Sequence, residues 1–204
     1  MRMTRLLTAA AVLGVFASHA NAATITQLTA YGQLTPPVLL NNFEVSKNTA
    51  WVTFDASATL DFASTWSGGV TPSGVQGLVE SAGNEPLTAS LTADAFEVGL
   101  TFGNDDFGLA FNAILRVYDA GNVLLGTVTV AANRNDFADQ FIGLRSDVGF
   151  RRVDISFQRP EAGNLTVYID DFAVSNQTAI PEPVSLLLVG AGLAGLARRR
   201  YGRS

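Results

Sequence analysis

The amino-acid sequence predicts an all-β fold, and three observations support this prediction. Between Thr24 and Ser175 the chain consists of short β-branched and aromatic runs separated by Gly, Asn, Asp and Pro, with no stretch of helical period. The runs recur about every 10 residues over about 150 residues, which is typical of a β-sandwich. Apolar and polar residues alternate most clearly over Val153–Phe157, as in a strand that covers a core with one face.

The predicted architecture is an antiparallel β-sandwich with a jelly-roll-like arrangement of strands. A parallel β-helix is the alternative, but the sequence has no fixed repeat period. The predicted strands are Thr24–Tyr31, Val38–Val45, Ala50–Phe54, Ala58–Phe62, Val75–Glu80, Leu87–Thr92, Ala95–Phe102, Phe111–Tyr118, Val123–Ala131, Gln140–Arg145, Phe150–Phe157 and Leu165–Ser175.

Turns and loops separate these strands at readable positions. Asp119–Asn122 contains Gly and Asn, which tolerate positive φ, so the sequence predicts a hairpin there. Arg159–Asn164 predicts a second turn before the last strand. Ser64–Gly77 and Ala82–Pro86 read as surface loops, where binding residues of β-proteins are often found.

The N-terminal 22 residues have the three regions of a secretory signal peptide. Two arginines precede an apolar run from Leu6 to Ala17, and Ala20 and Ala22 form a small-residue cleavage site. A transmembrane anchor is the alternative, but the run of about 12 residues is too short to span a bilayer comfortably. We therefore expect the mature chain to begin at Ala23.

The C-terminal segment combines three features in a fixed order. Pro181, Glu182 and Pro183 come first, and the two prolines prevent a helix from continuing out of the preceding domain. A run of 14 uncharged residues follows, from Val184 to Ala197. This apolar run is suited to a lipid environment, although it is shorter than the roughly 20 residues of a helix that spans a bilayer. Three arginines close the segment and predict a cytoplasmic C-terminus: Arg198, Arg199 and Arg200.

This C-terminal segment closely resembles the PEP-CTERM sorting signal of Gram-negative bacteria. The resemblance implies recognition and cleavage by an exosortase, a membrane protease, followed by release to the cell surface or the exopolysaccharide matrix. It also implies that the membrane is a transient partner, through the C-terminal segment before processing. An unprocessed tail anchor is the alternative. We thus divide the chain into a signal peptide (1–22), one β-sandwich domain (23–178) and the sorting signal (179–204).

The charge and composition of the mature segment exclude many function classes. Between Ala23 and Pro181 there are seven basic and seventeen acidic residues, a net charge of −10, which argues against nucleic acid as a partner. The chain has no Cys, and its one His, His19, lies in the signal peptide. Nucleophilic triads, His- or Cys-ligated zinc and haem are therefore excluded from the mature domain. Carboxylate chemistry, calcium and aromatic binding surfaces remain.

A pair of acidic residues in the last predicted strand is the first candidate site. Adjacent residues of a strand face opposite sides, so either Asp170 or Asp171 faces inward, where an unpaired charge is costly. The sequence leaves two solutions open. One is a bound Ca²⁺, and the other is an arginine partner such as Arg116 or Arg151.

The strand Tyr168-Ile169-Asp170-Asp171-Phe172 resembles the closing strand of jelly-roll carbohydrate-binding modules. In those modules such an Asp holds a structural calcium together with an early Glu. The resemblance implies that Glu44, with Asp170 or Asp171 and backbone carbonyls, holds Ca²⁺ here. Asp105 and Asp106, which follow Asn104 in a predicted loop, are a second candidate for a metal site.

Aromatic residues are the candidates for ligand binding. Sugar rings stack on exposed indole or phenol rings while amides and carboxylates bind their hydroxyls. Trp66, in the long loop among small polar residues, and Tyr118 are the predicted ligand-binding residues, and Tyr31 is a further aromatic candidate. Trp51, between apolar strand residues, is predicted to belong to the core.

The sequence therefore predicts an exported, non-catalytic protein of the cell surface or exopolysaccharide matrix that binds extracellular polysaccharide. The alternative is a structural matrix protein of biofilms with no specific ligand. A glycosidase using two carboxylates is a distant third, because no motif selects an acid and a nucleophile among the seventeen acidic residues.

Overall fold

The computed structural model describes residues 22–62, 71–80, 86–103, 110–133, 135, 137–159 and 164–177. Within these ranges the chain forms eleven strands and one short 3₁₀ helix, Tyr31–Gln33. The strands are β1 (Ile25–Leu28), β2 (Val38–Asn41), β3 (Val52–Phe54), β4 (Ala58–Phe62), β5 (Gln76–Glu80), β6 (Leu87–Gly103), β7 (Asn112–Tyr118), β8 (Leu124–Ala131), β9 (Gln140–Gln158), β10 (Asn164–Leu165) and β11 (Tyr168–Ser175).

The all-β prediction is confirmed, and every predicted strand has a counterpart in the structure. Two pairs of predicted strands are each joined into one long strand. Leu87–Thr92 and Ala95–Phe102 form β6, and Gln140–Arg145 and Phe150–Phe157 form β9. The joins fall at an irregularity in the pairing of the two strands, between Ser90 and Glu97. Here the chain bends without leaving the sheet, as a β-bulge allows.

The pairing of β6 with β9 connects two layers of sheet. Their antiparallel register runs from Leu87 opposite Ile155 to Phe102 opposite Gln140. Beyond the bend, the second half of β9 pairs with β7, which pairs with β8, and the first half of β6 pairs with β3. We call this the first layer. The second half of β6 pairs with β11, and the first half of β9 pairs with β1.

The second layer is completed along the other edge of β11. This edge pairs with β5 at its start and with β2 at its end, and β5 pairs with β4. β1 returns toward the first layer, where the Ile25 side chain occupies the space that a Cβ at Gly126 of β8 would take. All pairings among the described residues are antiparallel, and the two layers pack face to face as a β-sandwich.

Buried aromatic rings join the two layers through the core. Phe54 of the first layer packs edge-on against Phe172 of the second, with ring centroids 5.2 Å apart, and also against Phe43 at 5.5 Å. Trp51 stacks on Phe172 at 6.0 Å, so its predicted core location agrees with its partly buried position. Aromatic rings therefore connect the two layers within a core that is otherwise mostly aliphatic.

The hairpin predicted at Asp119–Asn122 is present between β7 and β8. Asn122 has φ of 62°, and one carboxylate oxygen of Asp119 accepts hydrogen bonds from the N–H groups of Gly121 and Val123, each at 2.8 Å. Asn122 is the residue of this turn that takes the left-handed conformation.

The two predicted targeting segments fall mostly beyond the described residues. These segments include the cleavage-site Ala20, the Pro181–Pro183 motif and the apolar run that follows it. Ala22 is the first described residue and is exposed. The described ranges contain no helix that is long and apolar enough to cross a bilayer.

Replacing Phe54 by Ala should lower the free energy of unfolding by about 3–5 kcal/mol, because the change opens a cavity between three packed rings. Urea denaturation measures this difference. Val123→Ala, at a side chain that is 60% exposed, should change stability by less than about 0.5 kcal/mol. Equal effects of the two substitutions would contradict the assigned core.

Candidate functional site

The outer face of the second layer carries an aromatic ring in a fixed position. Gly99 of β6 lies directly opposite Gly143 of β9. A Cβ at Gly99 would lie 2.5 Å from the ring of Phe141, and one at Gly143 would lie 2.8 Å from it. The two glycines therefore make a shallow space between neighbouring strands in which the Phe141 ring rests. Tyr31 packs edge-on against this ring, with centroids 4.7 Å apart.

The segment that carries Tyr31 is held against the sheet by a buried ion pair. The fully buried Glu97 carboxylate is 2.6 Å from Nε of Arg145, and it also accepts hydrogen bonds from the N–H and hydroxyl of Thr35. Arg145 donates in addition to the carbonyl of Gln33 at 2.9 Å. Because both charges are paired and hydrogen-bonded, the segment has a defined position on the sheet.

Two adjacent cavities of about 370 and 400 Å³ share Tyr31 and Asp171 as lining residues. We call them together the Tyr31 groove. The first is also lined by Ala30, Pro72, Thr101, Ala138, Asp139 and Phe141, and the second by Leu34, Val38, Leu40 and Ala173. Leu40 is 53% exposed on the edge strand β2. The groove is thus largely apolar, and its charged lining residues are the carboxylates Asp139 and Asp171.

A distortion of β11 places two carboxylates beside this groove. The pairing of β11 with β6 shifts between Asp170 and Ala173, and Asp171 has φ of 50°. Asp170 is consequently fully buried, whereas Asp171 stays partly exposed and lines the groove. This answers the question that the sequence left open, since Asp170 is the inward residue. The Tyr31 hydroxyl donates to the Asp171 carbonyl, and the Thr101 hydroxyl donates to the Asp170 carbonyl at 3.0 Å.

The segment before β5 brings Glu44 to the same region. One Glu44 oxygen accepts hydrogen bonds from the N–H groups of Val75 and Gln76, each at 2.8 Å. Gly74, with φ of 62°, leaves room for this carboxylate, since a Cβ there would lie 2.0 Å from it. Ser73 donates its hydroxyl to Asp171 at 2.6 Å and its N–H to Asp170 at 3.3 Å.

The electrostatics of this carboxylate cluster (Glu44, Asp170 and Asp171) are unfavourable to a buried negative charge. Burial raises the pKa of the Asp170 carboxyl to about 7, and the charges of Asp171 and Glu44 contribute to the rise. Hydrogen bonds from the backbone N–H groups of Asp171 and Ser73 act in the opposite direction. Burial, followed by the charge of Asp171, raises the pKa of the Tyr31 phenol far above its usual range, so the phenol remains a donor.

The chemistry of this cluster fits a hard cation, although no complete metal site is formed by side chains alone. Its donors are carboxylate and hydroxyl oxygens, which Ca²⁺ prefers. Glu44, Asp170 and Asp171 form no ion pair with a basic residue among the described residues. In the same part of the chain, no three acidic or histidine side chains converge closely enough to hold a metal ion. Backbone carbonyls would have to complete the coordination.

The structure corrects the arginine alternative for Asp170 and Asp171. Arg151 pairs with Asp94 at 2.7 Å, and Arg116 donates to Ser156 at 3.2 Å on the first layer. The expectation that either would neutralise the inward carboxylate is wrong because both residues belong to other parts of the sandwich.

Tyr118, another predicted site residue, does not line the Tyr31 groove. Tyr118 lies at the end of β7, where the Arg152 guanidinium covers one ring face at 3.7 Å from the centroid. Sugar stacking on Tyr118 stays a prediction. Trp66, Asp105 and Asp106 lie outside the described residues.

Phe141 is one of the groove residues that sequence reasoning missed, as is Asp139. The signal for Phe141 was indirect, because two glycines at outward-facing strand positions, Gly99 and Gly143, leave space that another side chain must fill. That these glycines lie opposite one another depends on strand register, which a single sequence does not specify. Tyr31 was an aromatic candidate, but its position beside Asp171 depends on pairing across 140 residues.

Residues 179–200 match a family model described as the PEP-CTERM protein-sorting motif. The resemblance of the C-terminal segment is thereby confirmed. The motif is a signal for exosortase processing, and it marks the chain as an exported protein that is anchored transiently in the membrane and then located at the cell surface or outside the cell.

Comparison with curated proteins found no match. Solved structures with a similar fold include the carbohydrate-binding module TmCBM61 in complex with β-1,4-galactotriose, at 18% identity and a TM-score of 0.35, covering 67% of this chain and 94% of that one. A DUF4465 family protein from Bacteroides caccae is 7% identical, with a TM-score of 0.37 and coverage of 76% and 87%. The K2 cleaved adhesin domain of Lys-gingipain is 11% identical, with a TM-score of 0.36 and coverage of 68% and 98%. At these scores the likenesses carry no conclusion about ligands.

Asp170 should make the stability of the calcium-free protein fall as the pH rises from about 4 to about 7. The folded state keeps the Asp170 proton up to a pH of about 7, whereas the unfolded state loses it near pH 4, so raising the pH favours unfolding by up to about 1.4 kcal/mol per pH unit.

Urea denaturation in chelator at half-unit pH steps measures this slope. Asp170→Asn should flatten it, while Asp94→Asn, at an exposed carboxylate paired with Arg151, should leave it unchanged. A slope that persists in Asp170→Asn would show that another group is responsible.

Proposed function

We propose that this exported protein binds an uncharged extracellular polysaccharide in the Tyr31 groove and acts without catalysis. The observation that carries the proposal is a rigid aromatic ring set in an apolar groove beside two carboxylates. Phe141 is held over the Gly99–Gly143 pair, so its ring is ordered before a ligand arrives and little conformational entropy is lost on binding.

The groove offers both kinds of contact that a neutral sugar needs. Phe141, Leu40 and Pro72 present apolar surface to the C–H face of a sugar ring, and the carboxylates of Asp139 and Asp171 accept hydrogen bonds from hydroxyls. Among the described residues, the side chains that line the groove include no Lys, Arg or His. Its charge would repel a polyanion, and this favours an uncharged polymer.

The hydrogen bonds of the groove carboxylates favour binding over catalysis. Asp139 accepts hydrogen bonds from the side-chain amides of Asn133 and Asn135, each at 2.8 Å, and Asp171 accepts one from Ser73. A glycosidase needs one carboxylic acid that donates a proton and a second that acts as base or nucleophile. Both groove carboxylates instead act as oriented acceptors, which is the role expected in a binding site.

Phe141→Ala should weaken binding of a neutral polysaccharide about tenfold or more, because the substitution removes the apolar surface on which a sugar ring rests. Isothermal titration of the purified exported protein with neutral glucan, galactan, mannan and xylan fragments would identify the preferred polymer. Phe137→Ala is the matched control, since Phe137 is 40% exposed and lies outside the groove lining.

Two results would contradict the groove assignment. Binding that is equally weak in both variants would place the site elsewhere, with Trp66 of the predicted loop as the next residue to test. If the unmodified protein binds no neutral polymer, the structural matrix role without a specific ligand becomes the better account of its surface location.

We also propose that Glu44 and the buried Asp170 hold a structural Ca²⁺ together with backbone carbonyls. A cation would stabilise the ionised form of the buried Asp170 carboxyl, whose burial and neighbouring charges otherwise disfavour it. The ion would also tie the segment before β5 to β11, since Glu44 and Ser73 already connect them by hydrogen bonds.

Removal of calcium should lower the melting temperature by about 5–10 °C at pH 7.5, as expected for a ligand present at about 100 times its Kd. Differential scanning calorimetry in 1 mM CaCl₂ and then in excess EGTA measures the shift. Glu44→Gln and Asp170→Asn should each reduce it, whereas Asp94→Asn should not. The same melting temperature in calcium and in chelator would refute this site.

A further inference from the structure

The outer face of the first layer carries a row of polar side chains that is separate from the Tyr31 groove. Strand register places Arg116 of β7 opposite Asp154 of β9, and Tyr118 opposite Arg152. On the other side of β9, Thr88 of β6 lies opposite Asp154. Side chains that alternate along a strand share a face, so these residues form one continuous polar surface.

Most of the charges on this surface are already paired. Arg152 binds Asp154 through two hydrogen bonds, at 2.9 and 3.1 Å, and Thr88 donates to the same carboxylate at 3.0 Å. Arg152 also donates to Asn122 and covers the ring of Tyr118. The Asp154 carboxylate thus has its hydrogen bonds from Arg152 and Thr88, and forms no ion pair with Arg116.

Arg116 is left with one hydrogen bond, to the Ser156 hydroxyl, and with no carboxylate partner among the described residues. This separates it from Arg145, Arg151 and Arg152, which each pair with an acidic side chain. A guanidinium has five N–H donors in a planar fork that matches a carboxylate. Among the described residues, the other four Arg116 donors have no partner.

The Arg116 guanidinium lines a cavity of about 200 Å³ whose other walls have a mixed character. Ile114, a buried residue at 7% exposure, and Pro86 supply apolar surface. Ser156 and Gln158 supply a hydroxyl and a side-chain amide. The cavity therefore combines one cationic, two apolar and two neutral polar residues.

We propose that this cavity binds a uronic-acid residue of an extracellular polysaccharide, with Arg116 holding the sugar carboxylate. The apolar wall suits the C–H face of a pyranose ring, and the hydroxyl and amide suit its ring hydroxyls. A small inorganic anion would leave Ile114 and Pro86 without a contact. A neutral sugar would leave the Arg116 fork without its bidentate partner, so a sugar acid matches the lining best.

This second site does not depend on the Tyr31 groove, because its residues lie on the first layer and the groove lies on the second. The two sites also differ in charge. The groove is lined by carboxylates, whereas this cavity is lined by a guanidinium. Together they would allow one molecule to contact an uncharged and an acidic polymer at the same time.

The test is titration of the purified exported protein with a galacturonate trisaccharide, a neutral galactose trisaccharide and inorganic phosphate at low ionic strength. We expect the galacturonate to bind, and Arg116→Gln to weaken its binding at least tenfold. Arg116→Lys should restore only part of the affinity, because Lys keeps the charge but not the fork. Arg151→Gln, which removes the same charge elsewhere, should leave the affinity unchanged, and so should Phe141→Ala in the groove. A thermal melt of each variant verifies folding.

Several results would overturn the assignment. Equal losses in Arg116→Gln and Arg151→Gln would show only a general charge effect. Phosphate binding as tight as that of the galacturonate would indicate a simple anion site, and galacturonate binding that is lost in Phe141→Ala would place the sugar acid in the groove instead. Binding of neither trisaccharide at this cavity, with groove binding intact, would remove this proposal and leave the proposed function standing.

Discussion

The antiparallel pairing of β6 with β9 is the interaction on which the rest of the sandwich depends. These strands have 17 and 19 residues, and they remain paired through the irregularity between Ser90 and Glu97. Each half of the β6–β9 pair is bonded to different neighbouring strands, so this one bent strand pair belongs to both layers and connects them. The ring contacts between Phe54 and Phe172 fill the space that this bend encloses.

The fold was largely predictable from the sequence because each strand and turn is indicated by the pattern of its own neighbouring residues. Alternation and turn residues located every described strand except β10, whose Leu165 was placed in one strand with β11, and the Asp119–Asn122 turn defined one hairpin. The joins within β6 and β9 were not predictable, because charged and small residues at a bend resemble those of a turn. The resemblance to carbohydrate-binding modules predicted that Glu44 lies near Asp170 or Asp171. Which of the two faces inward was not predictable, because it depends on the bulge in β11. Phe141 was missed because its neighbours come from strand register rather than from adjacent sequence.

The same sandwich presents two outer faces of different chemical character. On the second layer, Gly99 and Gly143 leave space on the sheet surface that the Phe141 ring fills, and the carboxylates of Asp139 and Asp171 lie beside it. On the first layer, Arg152 neutralises the charge of Asp154, so Arg116 has no carboxylate partner there and lies beside an apolar wall. The net negative charge of the domain therefore does not give the charge of either face. Which charges a binding partner meets depends on which charged side chains are already paired with each other on that face.

The place of β11 in the sheet determines when the domain can finish folding. This strand is internal, with β6 on one edge and β5 and β2 on the other, and its partners lie up to 137 residues earlier in the chain, as for Ser175 and Val38. Such distant pairings close late and slowly. When the chain is exported from its N-terminus, the edges of β6 and β2 that pair with β11 would stay unpaired until residues 168–175 have also been exported. The sorting motif at 179–200 begins four residues after β11, so the strand that completes the sheet is also the strand nearest in sequence to the segment that anchors the chain in the membrane.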